Sequence, residues 1–442
     1  MAKQKNAFIC GECGYQSIKW LGRCPECGTW NSMTEQSNVL SVSSDITLTT
    51  LSEVKNESRE RIDCGIGEMN RALGGGLMMG STSLIGGEPG IGKSTLIMQI
   101  ADKSGLITAY VSGEETAQQI KLRSDRLKVK GKNITLICDT HLGPIINALE
   151  KIKPTLIIID SIQTLVDGEA GSQPGSINQL KSCSLAISRW AKLNNSALIL
   201  IAHVTKEGTI AGPKILEHMV DAVLYFDGGS YDARFLRSVK NRFGPTDEVG
   251  LFTMGEKGLE EIRDPRFFLE KRKQNPPPGI AFVPTFEGSR VFMVEIQALV
   301  APAKGSFSRI YSDKIENNRV SRIAAVLEKH ISIDFSDKDL YVNVAGGIKI
   351  SETACDLALA AALYSARTDK ALPSSWAFCG EISLAGEIRH IGKSDRRIKT
   401  AEELGFTHII GPECQENVRN ISYMSVENIK EFISLLAKGI KD

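Results

Sequence analysis

The chain has no apolar run long enough to cross a bilayer, and no apolar core follows the lysines of its first five residues, so neither a membrane span nor a secretion signal is expected. The cytoplasm is the expected compartment, with no membrane partner. A charge bias is also missing. Lys+Arg 53 against Asp+Glu 52 leaves a net charge of +1, which excludes binding to nucleic acid or anionic lipid through bulk charge. Any contact with a polyanion must come from local surfaces. Internal repeats and low-complexity tracts are absent. So is a disulfide framework, since four of the ten cysteines lie within the first 27 residues and the other six are scattered singly. That distribution favours a metal.

What is present is length and punctuation. With 442 residues the chain exceeds the size at which one core keeps growing, and its 42% hydrophobic content is ordinary for globular protein. Residues 1–33 are dense in Cys, Gly and Trp. Residues 34–60, with Ser41, Ser43, Ser44, Thr47, Thr49, Thr50 and Ser52, read as a linker. Over 61–270 short apolar runs alternate with helical patterns, the mark of a parallel α/β sheet. The runs are Thr82 to Ile85, Thr108 to Val111, Leu156 to Ile159, Leu198 to Ala202 and Ala222 to Phe226. The triplet Pro276-Pro277-Pro278 places a boundary ahead of a last block, 280–442. In that block Glu352 to Ala366 reads as a helix, and Trp376 to Ile388 as strand or hairpin turning at Ala385-Gly386.

Cys10-Gly11-Glu12-Cys13 and Cys24-Pro25-Glu26-Cys27 are two C-x-x-C pairs ten residues apart, which suits a four-thiolate zinc site built from two knuckles. Gly14 and Gly28 each follow a second cysteine, where the backbone turns toward sulfur. Four thiolates leave no open position, so this Zn2+ is structural. Lys19, Trp20, Arg23 and Trp30 have two readings. They form a face that contacts DNA or protein, or the tryptophans fill a tiny core.

Gly87-Glu88-Pro89-Gly90-Ile91-Gly92-Lys93-Ser94 fits G-x-x-x-x-G-K-[ST] between a strand pattern and a helix pattern that starts at Thr95. Such a loop wraps backbone amides around the phosphates of ATP, with Lys93 on the β- and γ-oxygens and Ser94 on Mg2+. The apolar run ending in Asp160 reads as the strand that brings a carboxylate to Mg2+. Ser112-Gly113-Glu114-Glu115-Thr116 places two acids at the end of a strand expected to neighbour the phosphate-loop strand. One is expected to orient the attacking water and the other to be structural, with Glu114 preferred for the water; alternatively, either simply begins the next helix.

In this order the motifs resemble a RecA-type P-loop ATPase core, and three stretches narrow the resemblance to the bacterial RadA/Sms family. They are the four-cysteine module joined to such a core, the run from Ala202-His203-Val204-Thr205-Lys206-Glu207-Gly208 through Val220-Asp221, and Lys240-Asn241-Arg242-Phe243-Gly244. The resemblance covers essentially the whole chain. It implies an ATP-dependent motor that processes recombination intermediates in DNA repair, stimulated by single-stranded and branched DNA. It also implies a homo-hexamer and a RecA-type recombinase as partner. His203, at a strand end, is expected to sense the γ-phosphate, the plain alternative being a hydrogen-bonded core histidine. Lys240 and Arg242 take the role of trans-acting fingers by resemblance, the plain alternative being a solvated basic edge. The loops Val166 to Gln179 and Thr205 to Lys214, with Lys181, Lys206 and Lys214, are assigned to DNA only by the resemblance.

From about Phe282 the tail is similar to the Lon protease domain, through Gly380-Glu381-Ile382-Ser383-Leu384-Ala385-Gly386-Glu387-Ile388 and His408-Ile409-Ile410-Gly411-Pro412. The similarity places Ala354 at the serine position and Asp395 at the lysine position, so the nucleophile and its base are both missing. Cys355 and Lys393 stand beside those positions. The expected fold is therefore α/β, with a RecA-like ATPase core, a small zinc module and an α+β Lon-protease-like domain that is proteolytically inactive. Arg389, Lys393, Arg396, Arg397 and Lys399 in this tail read either as a basic surface for duplex DNA or as a solvated face. An ATP-dependent protease and a KaiC-like signalling ATPase are the competing functions.

Overall fold

A computed structural model describes residues 7–17, 19–36, 50, 52, 61–168, 170, 173, 175–203, 213–228, 233–264, 269, 276–303, 308–414 and 420–439. Most of the linker expected over 34–60 and of the loop Thr205 to Lys214 lies outside the described residues. The chain divides into two compact units, 1–227 with 234–261, and 228–233 with 262–442.

The first unit begins with a three-stranded sheet in the order Gln16–Ser17, Ala7–Cys10, Met33–Gln36, with antiparallel pairings. Its core consists of Cys10, Cys24 and Met33, with Phe8, Cys13, Tyr15 and Leu21 packed around them. The tryptophans do not fill that core. Trp20 is 54% exposed and Trp30 69% exposed, which removes the small-core reading.

The main body of this unit is a nine-stranded sheet. Its order is Gly258–Glu261, Val249–Gly255, Ala233–Asn241, Ala222–Gly228, Thr82–Gly87, Ala197–His203, Leu156–Asp160, Thr108–Ser112, Ile134–Ile137. From Ala222–Gly228 to Ile134–Ile137 every pairing is parallel. Thr82–Gly87 and Leu156–Asp160 are buried along their whole length, as central strands covered on both faces must be. Leu156, Ile158, Ile199 and Ile201 pack with the helix Lys93–Lys103 on one side of the sheet, and Ile157, Ile159, Leu198 and Leu200 with the helix Ile177–Leu193 on the other. The strand order corrects one expectation. Thr108–Ser112 does not neighbour the phosphate-loop strand, because Ala197–His203 and Leu156–Asp160 lie between them.

The second unit is built on a seven-stranded mixed sheet, in the order Ile310–Ser312, Lys338–Val344, Arg290–Pro302, Ile280–Glu287, Trp376–Phe378, His408–Gly411, Ser422–Ser425. The helix Asp356–Thr368 is buried from Asp356 through Ser365. Its Ala- and Leu-rich sequence lets the backbone pack closely on all sides, and a 3-10 turn over Thr353–Cys355 leads into it. Glu381–Ile382 and Ile388–Arg389 pair as the short hairpin expected around Gly386, whose φ is 81°.

Candidate nucleotide site

The strand Thr82–Gly87 runs into the glycine-rich loop, and the helix Lys93–Lys103 follows at once. Gly92 caps that helix at φ 115°, a left-handed conformation that favours glycine, and a Cβ there would come within 3.0 Å of Met254 Cε. No side chain caps this helix start and no acid sits in its first turn. The amides of Lys93, Ser94 and Thr95 are thus left facing whatever the loop encloses, with the positive end of the helix dipole behind them. Lys93 is 3% exposed, and its Nζ donates to the carbonyls of Gly87 (2.7 Å) and Glu88 (2.9 Å). Burial lowers its pKa to about 8, against the opposing pull of Asp160 and Glu114.

Three strand ends meet this loop. Asp160, 8% exposed, closes the buried strand Leu156–Asp160, and Tyr110 Oη donates to its Oδ2 at 2.6 Å. Burial, and then the Asp160 charge, raise the Tyr110 pKa well above its ordinary value, so the phenol keeps the proton it donates. Arg123 Nη2 donates to Tyr110 Oη (3.0 Å), and Arg123 Nη1 pairs with Glu115 Oε2 at 2.5 Å. Glu115 is thereby tied into a chain of side chains that ends on Asp160. Glu114 is held differently. Ser161 Oγ donates to its Oε1 at 2.8 Å, and His203 Nε2 lies 3.8 Å from the same oxygen. The Glu114 side chain is 52% exposed. Glu114 and Glu115 both line a cavity of about 500 Å³, together with Asp139 and His141.

Neither glutamate begins the next helix. The helix Ala117–Arg126 is capped by Thr116 in a reciprocal capping box with Gln119, and its first turn holds no acid. Gly113 makes the close approach possible, since a Cβ there would lie 2.1 Å from Thr164 Oγ1 in the turn after Asp160. His203 ends the strand Ala197–His203. Burial, and then the nearby Lys93 charge, lower its pKa, so it tends toward the neutral imidazole. Its backbone is clasped by Gln163, whose Nε2 donates to His203 O at 3.2 Å and whose Oε1 accepts from His203 N at 3.4 Å.

Lys240 and Arg242 do not join this group. Lys240 Nζ donates to the carbonyls of Glu217 (2.6 Å) and Val220 (2.8 Å) at the end of the helix Pro213–Met219. Arg242 Nη1 pairs with Asp221 Oδ1 at 3.3 Å, and Asp221 Oδ2 accepts from Thr82 N at 3.0 Å. Thr82 is the first residue of the phosphate-loop strand, so this pair sits at the end of the sheet opposite the loop. Residues 204–212 and 169, 171, 172 and 174 of the two expected DNA loops lie outside the described residues. Sequence reading missed Tyr110, Arg123, Ser161 and Gln163. The usable signal was Tyr110 itself, two residues before the loop that carries Glu114.

In the zinc module all four cysteine sulfurs lie within 4.8 Å of one another, with Cys10 Sγ 3.6 Å from Cys27 Sγ and Cys13 Sγ 3.5 Å from Cys24 Sγ. Four thiolates at about 2.3 Å from one tetrahedral zinc stand roughly 3.8 Å apart, so the sulfurs fit that ion. The two knuckles are alike. Gly14 N donates to Cys10 O at 3.0 Å and Gly28 N to Cys24 O at 2.9 Å, with both glycines at positive φ (79° and 73°).

In the second unit, Ala354, where the similarity would place a nucleophile, lies in the 3-10 turn that leads into the buried helix. Cys355 beside it is fully buried, and burial pushes its thiol up to about 12, so it is neither accessible nor ionised. Lys393 lies 4.9 Å from the centre of the Phe286 ring. Of the basic residues grouped in the sequence, Arg397 is not on the surface. It is 3% exposed and bonded through Nη2 to Glu352 Oε2 at 2.6 Å. Arg389 pairs with Glu387 at 3.3 Å and Lys399 with Glu403 at 3.9 Å. Both of those pairs are exposed, so of the five basic residues only Arg397 is withdrawn from the surface.

A parallel sheet with a phosphate loop at one strand end, an acid closing the strand two places away and a histidine closing the strand between them defines a P-loop ATPase core of RecA-like class. Family models agree in kind. An AAA domain model matches residues 49–209, a rubredoxin metal binding domain model residues 8–35, and the model for subunit ChlI of Mg-chelatase residues 311–415. The chain is 51% identical over 420 residues to the DNA repair protein RadA of Treponema pallidum (strain Nichols), covering 93% of this chain and 92% of that one. It is 40% identical to the DNA repair protein RadA of Aquifex aeolicus (strain VF5), covering 99% and 100%. The chain belongs to the RadA family of DNA repair proteins. Among solved structures, the KaiC-like protein PH0186 of Pyrococcus horikoshii OT3 aligns with TM-score 0.40 and 20% identity, over 46% of this chain and 99% of that one.

Proposed function

We propose that this chain is an ATP-driven DNA motor that acts on single-stranded and branched DNA at recombination intermediates, assembled as a homo-hexamer and working with a RecA-type recombinase. The observation that carries the ATPase part is the meeting of Lys93, Asp160, Glu114 and His203 at adjacent strand ends. Residues 87–95 grip the triphosphate of ATP, and Ser94 and Asp160 hold Mg2+, which when bound supplies charge neutralisation at the phosphates. Glu114 is the group placed to accept a proton from an attacking water. Its side chain is half exposed and steadied by Ser161, whereas Glu115 is committed to Arg123. His203 stands 3.8 Å from Glu114 and ends the strand just before the loop assigned to DNA, so a change at the phosphates reaches the strand-holding loop through it. Lys240 and Arg242 serve a neighbouring subunit's site, in keeping with their place at the sheet end away from their own phosphate loop. The DNA part rests on family membership.

ATP turnover measured with and without single-stranded and forked DNA tests the reading. DNA is expected to raise turnover several-fold, and Lys93→Ala to abolish it through loss of the phosphate contact. Turnover that ignores DNA would leave an ATPase of signalling type and overturn the motor. Normal turnover in Lys93→Ala would overturn the site itself.

A further inference from the structure

We infer that the zinc module carries an aromatic platform for single-stranded nucleic acid, formed by Trp20 and Trp30 with Arg23 and Lys19 beside them. The inference rests on the DNA reading above and names a second contact for the strand.

A domain this small gains from every apolar side chain it buries, yet its two largest are left in solvent among the described residues. They are held in place all the same. Trp20 Nε1 donates to Met33 O at 3.2 Å. Arg23 and Trp30 form an antiparallel bridge; the guanidinium lies 5.8 Å from the Trp30 ring centre, and Arg23 Nε donates to Gly28 O at 2.9 Å. Both rings border Gly22, where a Cβ would lie 3.6 Å from Trp20 Cη2 and 4.0 Å from Trp30 Cζ3. The two rings therefore lie on one patch of the module, with a residue that has no side chain between them.

The charge on this surface fits phosphate. Lys19 and Arg23 flank Trp20 in the segment between the knuckles, while Glu12 and Glu26 sit inside the C-x-x-C turns. Oriented π faces next to cations are the chemistry that binds single strands, because unpaired bases stack on the rings while phosphates meet the cations; bases within a duplex are already stacked. The placement agrees. Asn178 Nδ2 donates to the carbonyls of Cys10 (3.3 Å) and Gly11 (2.9 Å), fastening the module at the end of the segment 166–179 that the family resemblance assigns to DNA.

The test uses the full-length, zinc-loaded protein with labelled oligothymidine as probe, followed by anisotropy and by intrinsic emission. The chain has four tryptophans; Trp190 is 7% exposed and Trp376 half-buried, so oligothymidine is expected to quench mainly Trp20 and Trp30. The double variant Trp20→Ala/Trp30→Ala, checked for full zinc content, should bind oligothymidine roughly tenfold or more weakly and lose the quenching. Trp20→Phe/Trp30→Phe should recover most of the affinity, as a merely structural role of the indole N–H would not allow. Wild-type affinity in the zinc-replete alanine variant, with DNA-stimulated turnover intact, overturns the platform and leaves the motor standing. Should that variant lose zinc, wild-type emission decides: saturating oligothymidine without quenching refutes the platform. Equal loss on blunt duplex refutes the single-strand assignment. A wild-type protein that neither binds DNA nor responds to it removes the motor reading itself.

Discussion

The two units each gather charged side chains where a helix or turn follows a strand, but they treat those charges in opposite ways. At the nucleotide site Glu114 is 52% exposed and faces a cavity, with a single hydroxyl bond from Ser161. At the corresponding focus of the Lon-like unit, Asp356 is fully buried and closed off by Arg319 (2.9 Å) and Arg322 (3.2 Å). Nearby Glu352 takes both Arg397 (2.6 Å) and the Thr285 hydroxyl (2.6 Å). Burial alone would raise the Glu352 pKa, and the Arg397 bonds outweigh it, so the carboxylate stays ionised. A carboxylate whose lone pairs are filled by arginine cannot take a proton from substrate. It can only hold the fold. Of these three carboxylates, Glu114 is the one left without an arginine and half open to solvent.

The sharpest way to break that comparison is at the two glutamates. Glu114→Gln should lower ATP turnover by about a hundredfold or more, the scale of a lost general base, with nucleotide binding kept. Glu115→Gln trades one ion pair with Arg123 for a neutral contact and should cost under about tenfold. Steady-state turnover with a fluorescent-nucleotide binding assay separates them. If Glu115→Gln proves the more damaging, the water-orienting role moves to Glu115.

The positions of these groups were partly legible without coordinates. The runs ending in Gly87, Asp160 and His203 are apolar, short and bounded by polar residues, so each reads as a buried parallel strand with its chemistry at the end. Strand order was not legible, because it depends on which crossover each helix makes rather than on any local pattern. Ile134–Ile137 and Val249–Gly255 went unnoticed for a related reason. The first is a four-residue edge strand whose residues are all at least partly exposed, so it carries little apolar contrast. Arg397 looked like a surface residue among other basic ones. Its partner Glu352 is 45 residues away, and only tertiary structure joins them. For the tryptophans the sequence left two readings open, and the structure removes the core one, because Cys10, Cys24 and Met33 form that core with Phe8, Tyr15 and Leu21 packed against them.

A second break tests the sealed charge. Asp356→Ala leaves Arg319 and Arg322 without the carboxylate they share, and removing one partner of a buried ion pair costs about 3–5 kcal/mol. Urea unfolding of the full chain should show a transition shifted by that amount, while ATP turnover measured without denaturant stays near wild type. A loss below about 1 kcal/mol would mean that Asp356 is not the structural anchor its burial suggests. A selective loss of turnover would place it in the chemistry after all.

The smallest expected effect is the most informative about how Asp160 is aimed. Tyr110 touches no substrate in this arrangement; it is a positioning residue that donates to Asp160 Oδ2 at 2.6 Å and is itself fixed by Arg123 at 3.0 Å. Tyr110→Phe keeps the buried ring and removes only the hydroxyl, so packing changes little while Asp160 loses a bond of the kind worth about 1.5–3 kcal/mol. A carboxylate free to rotate holds Mg2+ less well without losing its charge. The half-saturating Mg2+ concentration for turnover should therefore rise roughly three- to tenfold, and raising Mg2+ should restore the rate. A merely structural role would lower stability and rate at every Mg2+ concentration. An unchanged Mg2+ dependence would show that Asp160 is aimed by its strand alone, and that the chain from Glu115 through Arg123 and Tyr110 braces the fold rather than the site.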